Sequence, residues 1–86
     1  MKADKKKVVK YLHMAQGQLT GIEKMINNDE YCINISNQLM ASIAILKKIN
    51  AEILSEHLNH CVLHASEETK EEKIKEVVKI VQRLGE

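Results

Sequence analysis

A long stretch without a helix-breaking residue constrains the fold of this chain most strongly. From Glu30 to His64 the sequence contains neither proline nor glycine. Apolar side chains recur through this stretch at helical spacing and form a broad stripe. The members of the stripe are Cys32, Ile35, Leu39, Met40, Ile43, Ala44, Ile45, Leu46, Ile49, Ile53, Leu54, Leu58, Cys61 and Val62. The pattern predicts one continuous helix over about 30–64 that is buried on more than one side.

Two cysteines lie near opposite ends of this predicted helix. Cys32 and Cys61 are separated by 29 helical steps of about 1.5 Å, or roughly 43 Å, so their thiols cannot meet within one subunit. If the helix pairs antiparallel with a copy of itself, Cys32 of one chain lies beside Cys61 of the other, and symmetry creates two identical sites. His57 precedes Cys61 by four residues and therefore points from the same helical face.

A cluster of two thiolates and one imidazole has a defined metal preference. These soft donors suit Cu(I) in a three-coordinate site, whereas a fourth ligand would suit Zn(II) better. Packing explains the same residues about equally well, because free cysteine is among the most buried residue types and His57 would then be an interface histidine. The spacing alone leaves both interpretations open.

The other three histidines are weaker ligand candidates. His60 points about 100° away from Cys61 around the helix, so we expect it to be solvated. His64 follows Cys61 by three residues and is the better candidate for a neighbour of the cluster. His13 lies far away in sequence, and we expect it to be exposed or to face nucleic acid.

An amphipathic helix is predicted before the long one, from about Ala3 to Ile26. Its apolar positions recur at spacings of three and four, which is typical of a heptad-like seam. The positions of this seam are Val8, Leu12, Ala15, Leu19, Ile22 and Ile26. Gly17 and Gly21 lie inside the helix and each cost up to about 1 kcal/mol of helix propensity relative to alanine, for which close approach of another helix would compensate. The polar run 27–29 predicts a turn and an N-cap for the long helix.

A third, short helix is predicted near the end of the sequence. Residues 66–70 form a polar link, and Thr69 followed by Glu72 fits a capping box. Gly85 is the expected stop. One face of this helix is apolar and consists of Ile74, Val77, Val78, Val81 and Leu84.

Composition indicates a single all-helical domain over residues 1–86 that assembles into oligomers. The 86 residues are 44% hydrophobic but include no phenylalanine, tryptophan or proline, and a chain of this size buries little surface alone. The first ten residues hold no apolar stretch of signal-peptide or membrane-span type, so we expect a reduced cytoplasmic protein whose thiols serve as ligands or sensors. No catalytic triad, phosphate loop or carboxylate pair is visible, and we do not expect an enzyme.

Charge is unevenly distributed although the net charge is only +1. Residues 1–28 carry six lysines against Asp4 and Glu23, whereas residues 49–69 carry four glutamates and no lysine or arginine. The basic first helix is compatible with a DNA-binding face or with a solvated helix surface, and composition alone favours the solvated surface.

Particular stretches of the sequence carry a family resemblance. Residues 31–41 read YCINISNQLMA, residues 53–62 read ILSEHLNHCV, and the pairs Gly17-Gln18 and Gly21-Ile22 lie in the first helix. Together they resemble the copper-sensitive operon repressor family of bacterial metal sensors over nearly the whole chain. The order of Cys32, then His57 after 25 residues, then Cys61 after four, is that family's copper-binding pattern.

The resemblance implies a fold, an assembly and a mode of action. It implies an all-α protomer of three helices with a long central helix, an antiparallel helical-bundle dimer and a dimer-of-dimers homotetramer. It implies repression without effector and release of operator DNA when Cu(I) is bound by Cys32 of one subunit with His57 and Cys61 of the other. Tyr31 and Glu76 match the tyrosine and glutamate through which such repressors couple metal binding to DNA release.

Other branches of the family differ from this chain at informative positions. Relatives that sense nickel, cobalt or formaldehyde carry an additional N-terminal ligand or a proline at residue two, where this chain has Lys2 and Ala3. A persulfide-sensing branch keeps the two cysteines but typically lacks the histidine between them, and here His57 is present. Cu(I) is therefore preferred, with a thiol-based persulfide or redox sensor using Cys32 and Cys61 as the alternative.

The expected DNA contacts depart from the family pattern. The family has an arginine-rich run before the Gly-Gln pair, but here the matching positions hold Tyr11, His13 and Met14, and Arg83 is the sole arginine. Lysine makes point-charge rather than bidentate contacts, so we expect weak or strongly salt-dependent DNA binding, and a copper-binding member with weak or no DNA binding is a further alternative. The lysines expected to contact DNA are Lys5, Lys6, Lys7, Lys10, Lys47 and Lys48.

Overall fold

Three helices in chain order make up the structure. The computed structural model describes residues 1–62 and 66–84, with the backbone alone at Cys61, Val62 and Glu68. Helix α1 spans Lys5–Asn27, α2 spans Cys32–His57 and continues into a π-helical turn over Leu58–Val62, and α3 spans Glu67–Leu84. The described residues contain no strand. The predicted all-α protomer with a long central helix is confirmed.

Helix α1 begins and ends with backbone groups that are hydrogen-bonded locally. The Asp4 carboxylate accepts hydrogen bonds from the backbone N–H groups of Lys6 and Lys7 at 3.0 and 3.3 Å, as an N-cap does. After the helix, Asp29 adopts a left-handed conformation with φ 52°, which aspartate tolerates better than most residues. The predicted turn at 27–29 is confirmed, but the predicted N-cap is wrong: Tyr31 occupies that position without a side-chain hydrogen bond.

Helices α1 and α2 form an antiparallel hairpin whose core follows heptad spacing. On α1 the buried side chains are Val8, Ala15 and Ile22, each seven residues from the next. On α2 the buried side chains are Ser42 and Ile49, also seven apart. A small apolar cluster at one end of the hairpin consists of Ala3, Val8 and Ile49, with Tyr11, Ile45 and Ile53 packed against it.

The predicted single seam on α1 is divided between two faces. Leu12, Leu19 and Ile26 remain 40%, 47% and 53% exposed, so only the alternate members of the predicted seam are buried. Gly17 and Gly21 have open space beyond them, with nothing within 4 Å of an added Cβ atom. No described residue of the chain makes the close helix approach expected at these glycines.

The end of α2 and the start of α3 differ from the predicted boundaries. The regular helix ends at His57, and the next five residues form a π-helical turn, in which hydrogen bonds span five residues instead of four. Helix α3 begins at Glu67, so the predicted link over 66–70 is wrong. The predicted capping box at Thr69 is wrong as well, because Thr69 lies in the first turn and donates its backbone N–H to the Ser66 carbonyl at 3.1 Å. The expected stop at Gly85 lies outside the described residues.

The chain forms a thin plate. Its principal extents are 55 × 28 × 12 Å, and the smallest of these equals about the diameter of one α-helix with side chains. A single layer of helices leaves two opposite sides of each helix without a partner. Among the described residues, no helix is both long and apolar enough to cross a membrane.

Candidate functional site

Cys32 is the first residue of α2 and carries an exposed free thiol. Tyr31 precedes it at the N-cap position and is 69% exposed. The turn after Asp29 delivers both side chains to the start of the helix, where the chain has just reversed direction. A cysteine and a tyrosine are thus presented together at one tip of the hairpin.

His57 is the last regular α-helical residue of α2 and is half-buried. It lines a cavity of about 410 Å³ together with Glu76 of α3. Leu54 and Ile80 form apolar parts of the wall, and Lys2 of the N-terminal segment lies at its edge. The structure therefore brings together two of the residues predicted for the site, the histidine and the carboxylate expected to act on it.

One outward face of α2 joins Cys32 to His57. The residues on this face follow spacings of seven, four, three, seven and four, which keep them on one side of the helix. They are Cys32, Leu39, Ile43, Leu46, Ile53 and His57, of which Ile53 also packs against the apolar cluster of the hairpin and His57 is half-buried. The central leucines and isoleucine, Leu39, Ile43 and Leu46, are 41%, 50% and 45% exposed. We call this set of six residues the outer face of α2.

The two ends of the outer face are too far apart for a shared site in one chain. Twenty-five helical steps of about 1.5 Å separate Cys32 from His57 by roughly 38 Å. Among the described residues, no three His, Cys, Asp or Glu side chains lie close enough together to hold a metal ion. A metal site that uses both Cys32 and His57 therefore needs two chains.

The remaining candidate ligands are placed only in part. The backbone of Cys61 lies in the π-helical turn, and its side chain is outside the described part of the chain, as is the whole of His64. The His60 Nε2 atom lies 3.1 Å from a carboxylate oxygen of Glu56, one turn earlier, and both side chains are partly solvated. That position agrees with the expectation that His60 is solvated.

The six lysines expected to contact DNA are not equivalent. The Lys7 ammonium lies 3.2 Å from the Glu52 carboxylate, and the Lys48 ammonium lies 4.5 Å from the centre of the Tyr11 ring. The pKa of Lys7 is raised above its usual value, first by the hydrogen bond to Glu52 and then by the charge of that carboxylate. The exposed lysines among the other candidates are Lys5, Lys6, Lys10 and Lys47.

The predicted patch on α2 does not form as one surface. Consecutive helical residues point about 100° apart, so Lys47 and Lys48 leave α2 in different directions. Lys48 faces Tyr11 across the helix pair, which places it on the same side as Lys7. Lys48 and not Lys47 therefore extends the basic surface of α1.

The sequence matches a known protein family over most of its length. The model of the family described as metal-sensitive transcriptional repressor matches residues 4–83. The chain belongs to this family. The predicted kinship is confirmed, and the family is defined by repression of transcription rather than by an enzymatic reaction.

Two curated members of the family share substantial sequence identity. The copper-sensing transcriptional repressor RicR of Mycobacterium tuberculosis is 41% identical over 56 residues, which cover 65% of this chain and 58% of RicR. The copper-sensing transcriptional repressor CsoR of Bacillus subtilis is 36% identical over 62 residues, covering 72% of this chain and 61% of CsoR. The matched stretch thus spans about three fifths of the length of these two repressors.

A solved structure of a family member has the same fold. The crystal structure of the copper-sensing repressor CsoR with Cu(I) from Geobacillus thermodenitrificans superposes with a TM-score of 0.80 and 30% identity. The superposition covers 94% of this chain and 85% of that one. The three-helix arrangement of this protomer is therefore that of a metal-sensing repressor of the family.

Sequence reasoning missed the acidic and aromatic partners of the lysines. Lys7 and Tyr11 are one turn apart on α1, and their partners Glu52 and Lys48 are one turn apart on α2. The relation becomes visible only when the antiparallel register of the two helices is known.

Proposed function

We propose that this chain is a Cu(I)-responsive transcriptional repressor, with residues 1–86 as one metal-sensing domain. It binds operator DNA in the absence of metal. It leaves the DNA when Cu(I) is bound by Cys32 of one chain together with His57 and Cys61 of a second chain. Membership of the family and the similarity to copper-sensing repressors support this function.

The outer face of α2 is the observation that carries the proposal. In a symmetric antiparallel pair, Cys32 lies level with the midpoint between His57 and Cys61 when the two-fold axis passes between residues 45 and 46. The same register puts Leu46 next to the axis and brings Leu39 of one chain near Ile53 of the other. One pairing therefore covers the exposed apolar residues and assembles the ligands at the same time.

The donor set fits Cu(I) chemically. Two thiolates and one imidazole are soft ligands that prefer Cu(I) in a low coordination number. Bound there, Cu(I) would supply a bond between the two chains at each end of the paired helices. His57 would give one ring nitrogen to the metal, and Glu76, which lines the same cavity, would accept a hydrogen bond from the other.

Release of DNA follows from the position of the lysines on the same helices. Lys47 and Lys48 belong to α2, and the other lysines expected to contact DNA lie on α1, which packs along α2. A change in how two α2 helices pair therefore moves the basic surfaces of both chains relative to each other. Only a difference in Cu(I) affinity between the two arrangements can drive this change.

The assembly and setting belong to the same proposal. We propose an antiparallel homodimer that associates further into a homotetramer and acts in the reducing cytoplasm, where thiols persist as ligands. The 12 Å thickness of the protomer supports oligomerisation, because a single helical layer cannot bury both sides of its helices. We propose no enzymatic activity.

A DNA-binding titration tests the function. Fluorescence anisotropy with labelled operator duplex should show tight binding by the apo protein at low salt and release at one equivalent of Cu(I) per chain, reversed by a Cu(I) chelator. His57→Ala should bind DNA and ignore Cu(I), whereas the matched control His60→Ala should respond as the parent does. An unchanged DNA affinity at one equivalent of Cu(I) would show that the chain is not a copper-responsive repressor.

The exposed thiol of Cys32 favours one alternative, a persulfide or redox sensor. In that case a persulfide donor would transfer its outer sulfur to one thiol and leave as a thiol. The resulting persulfide would then join Cys32 of one chain to Cys61 of the other as a disulfide with loss of hydrogen sulfide, or as a polysulfide after a further sulfur transfer. Intact-mass measurement after persulfide treatment separates the two functions. A sulfur sensor gains mass in this experiment, whereas a copper sensor keeps its mass and binds Cu(I) tightly. Tight Cu(I) binding without DNA binding at low salt would instead indicate a copper-binding member that does not repress.

A further inference from the structure

Two contacts between α1 and α2 lie one helical turn apart on the same side of the helix pair. In the first, the Lys7 ammonium lies 3.2 Å from the Glu52 carboxylate, and the two side chains are 46% and 30% exposed. In the second, the Lys48 ammonium lies 4.5 Å from the centre of the Tyr11 ring. Four side chains thus form a small, partly exposed square with two ammonium groups at opposite corners.

The partners of the two lysines differ in charge. The Tyr11 ring is neutral and leaves the full positive charge of Lys48 available to an anion. Glu52 carries a negative charge and lies beside Lys7 and one turn along α2 from Lys48. A phosphate group that approaches the Lys7 ammonium must also approach this carboxylate, and the two anions repel each other.

We propose that Glu52 competes with DNA phosphate for Lys7 and thereby sets the strength and the salt dependence of DNA binding. The inference rests on the DNA-binding function proposed above. Lys7 is neutralised within the chain, so the apo protein contacts DNA through Lys48 and the exposed lysines of α1. Glu52 thus acts as an internal brake on a surface that is otherwise basic.

Competition from Glu52 would make Lys7 contribute less to DNA binding than a lysine without a carboxylate partner. Phosphate contacts contribute to the slope of log affinity against log salt by about 0.9 for each contact formed on B-form DNA. A lysine held by a carboxylate contributes less than this, because the ion pair must open before a phosphate is bound. Removal of the Glu52 charge should restore the missing contribution.

The test is the salt dependence of binding to a labelled mixed-sequence duplex, measured by anisotropy with the metal-free parent and variants. Glu52→Gln should bind roughly three- to tenfold more tightly than the parent at low salt, with a slope steeper by about 0.9. Lys7→Gln should change the affinity little in the parent but should remove the whole gain in the Glu52→Gln background. Glu30→Gln in the exposed turn between α1 and α2 removes the same charge far from Lys7 and serves as the matched control.

The outcomes divide clearly. A Glu52→Gln slope that equals the parent's or the control's overturns the inference, and so does weaker binding by this variant or a gain that survives loss of Lys7. Thermal melting of each variant shows that the comparison is made between folded proteins. The proposed function is tested separately, by Cu(I)-induced release of DNA from the parent protein. If the parent releases DNA on Cu(I) addition while Glu52→Gln shows no gain in DNA affinity, only the inference about Glu52 is wrong. If neither the parent nor any variant binds the mixed-sequence duplex at low salt, the inference about Glu52 is wrong, and the proposed function is judged by the operator titration.

Discussion

The two sides of α2 differ in how far one chain completes them. Toward α1, the helix buries Ser42 and Ile49, and its polar side chains find partners there, as the pair of Glu52 with Lys7 shows. On the outer face, Leu39, Ile43 and Leu46 are about half exposed, and the exposed Cys32 lies roughly 38 Å from His57. The inner side is a packed helix–helix contact within one chain, whereas the outer face exposes apolar residues of the kind found in protein cores.

The difference indicates where stability and where regulation reside. Contacts formed within one chain are present in every state of the protein. They therefore stabilise the hairpin but do not change when metal is bound. Contacts that need a second chain change when the pairing of the chains changes. A ligand set at the two ends of such a face is therefore placed to act on the assembly rather than on the fold of the protomer.

The largest effect is expected from a charge on the outer face. Leu46→Glu puts a carboxylate next to the proposed two-fold axis, where two copies would be buried together without partners at a cost of about 3–5 kcal/mol for each. We expect a folded monomer that no longer binds Cu(I) tightly, measured by light scattering and by competition with a Cu(I) chelator. Met40→Glu is the matched control, because Met40 is 65% exposed and points about 120° away from Leu46 around α2. A Leu46→Glu variant that remains dimeric would place the interface elsewhere.

The next effect concerns whether the ligands come from two chains. Cys32→Ser removes one of two soft anionic ligands and should weaken Cu(I) binding by at least roughly 100-fold, and His57→Ala should weaken it as well. An equimolar mixture of these two variants should recover tight binding at one of the two sites in each mixed dimer, because that site combines intact Cys32 from one chain with intact His57 from the other. No recovery after subunit exchange would contradict a site between chains.

A smaller effect is expected when the ligands stay and only the coupling is lost. Tyr31→Phe and Glu76→Gln should keep most of the Cu(I) affinity but lose most of the Cu(I)-induced drop in DNA affinity, a coupling of about 1–3 kcal/mol. The cavity that Glu76 shares with His57 gives the reason, since the carboxylate can act on the imidazole without touching the metal. Glu72→Gln, one turn earlier on α3 and exposed, is the control. If Glu76→Gln releases DNA on Cu(I) addition as the parent does, Glu76 is not the relay.

The same contrast explains what the sequence could and could not predict. Periodicity identified three helices to within a few residues at most boundaries, because apolar spacing and the turn at Asp29 are local properties. It did not separate Val8 from Leu12 on α1, since both are core-type residues and only the position of α2 decides which of them is covered. The sequence shows which residues are apolar enough to be buried, but it does not show which helix packs against them.

The candidate site was predictable to a similar extent. The shared face of Cys32 and His57 follows from spacing alone, and Glu76 lines the same cavity as His57. The pair of Lys7 with Glu52 could not be found, because it depends on the register between two helices. The start of α3 was misplaced because Ser66 and Thr69 are both good helix-start residues, three positions apart.

The smallest effect concerns the polar contact inside the finished side of the hairpin. Ser42 is 2% exposed, and its hydroxyl donates a hydrogen bond to the Gln18 side-chain oxygen at 2.9 Å. Ser42→Ala removes this bond, which is worth about 0.5–1.5 kcal/mol, but gains a few tenths of a kcal/mol of helix propensity, so a net loss below about 1 kcal/mol is expected. Ser55→Ala, on the exposed surface of the same helix, keeps only the propensity gain and should stabilise slightly. The difference between the two in denaturant unfolding isolates the hydrogen bond, and neither variant should alter the Cu(I) affinity. Equal stability of the two variants would show that this contact contributes nothing, and an altered Cu(I) affinity in Ser42→Ala would show that the inner side of α2 is not independent of the outer face.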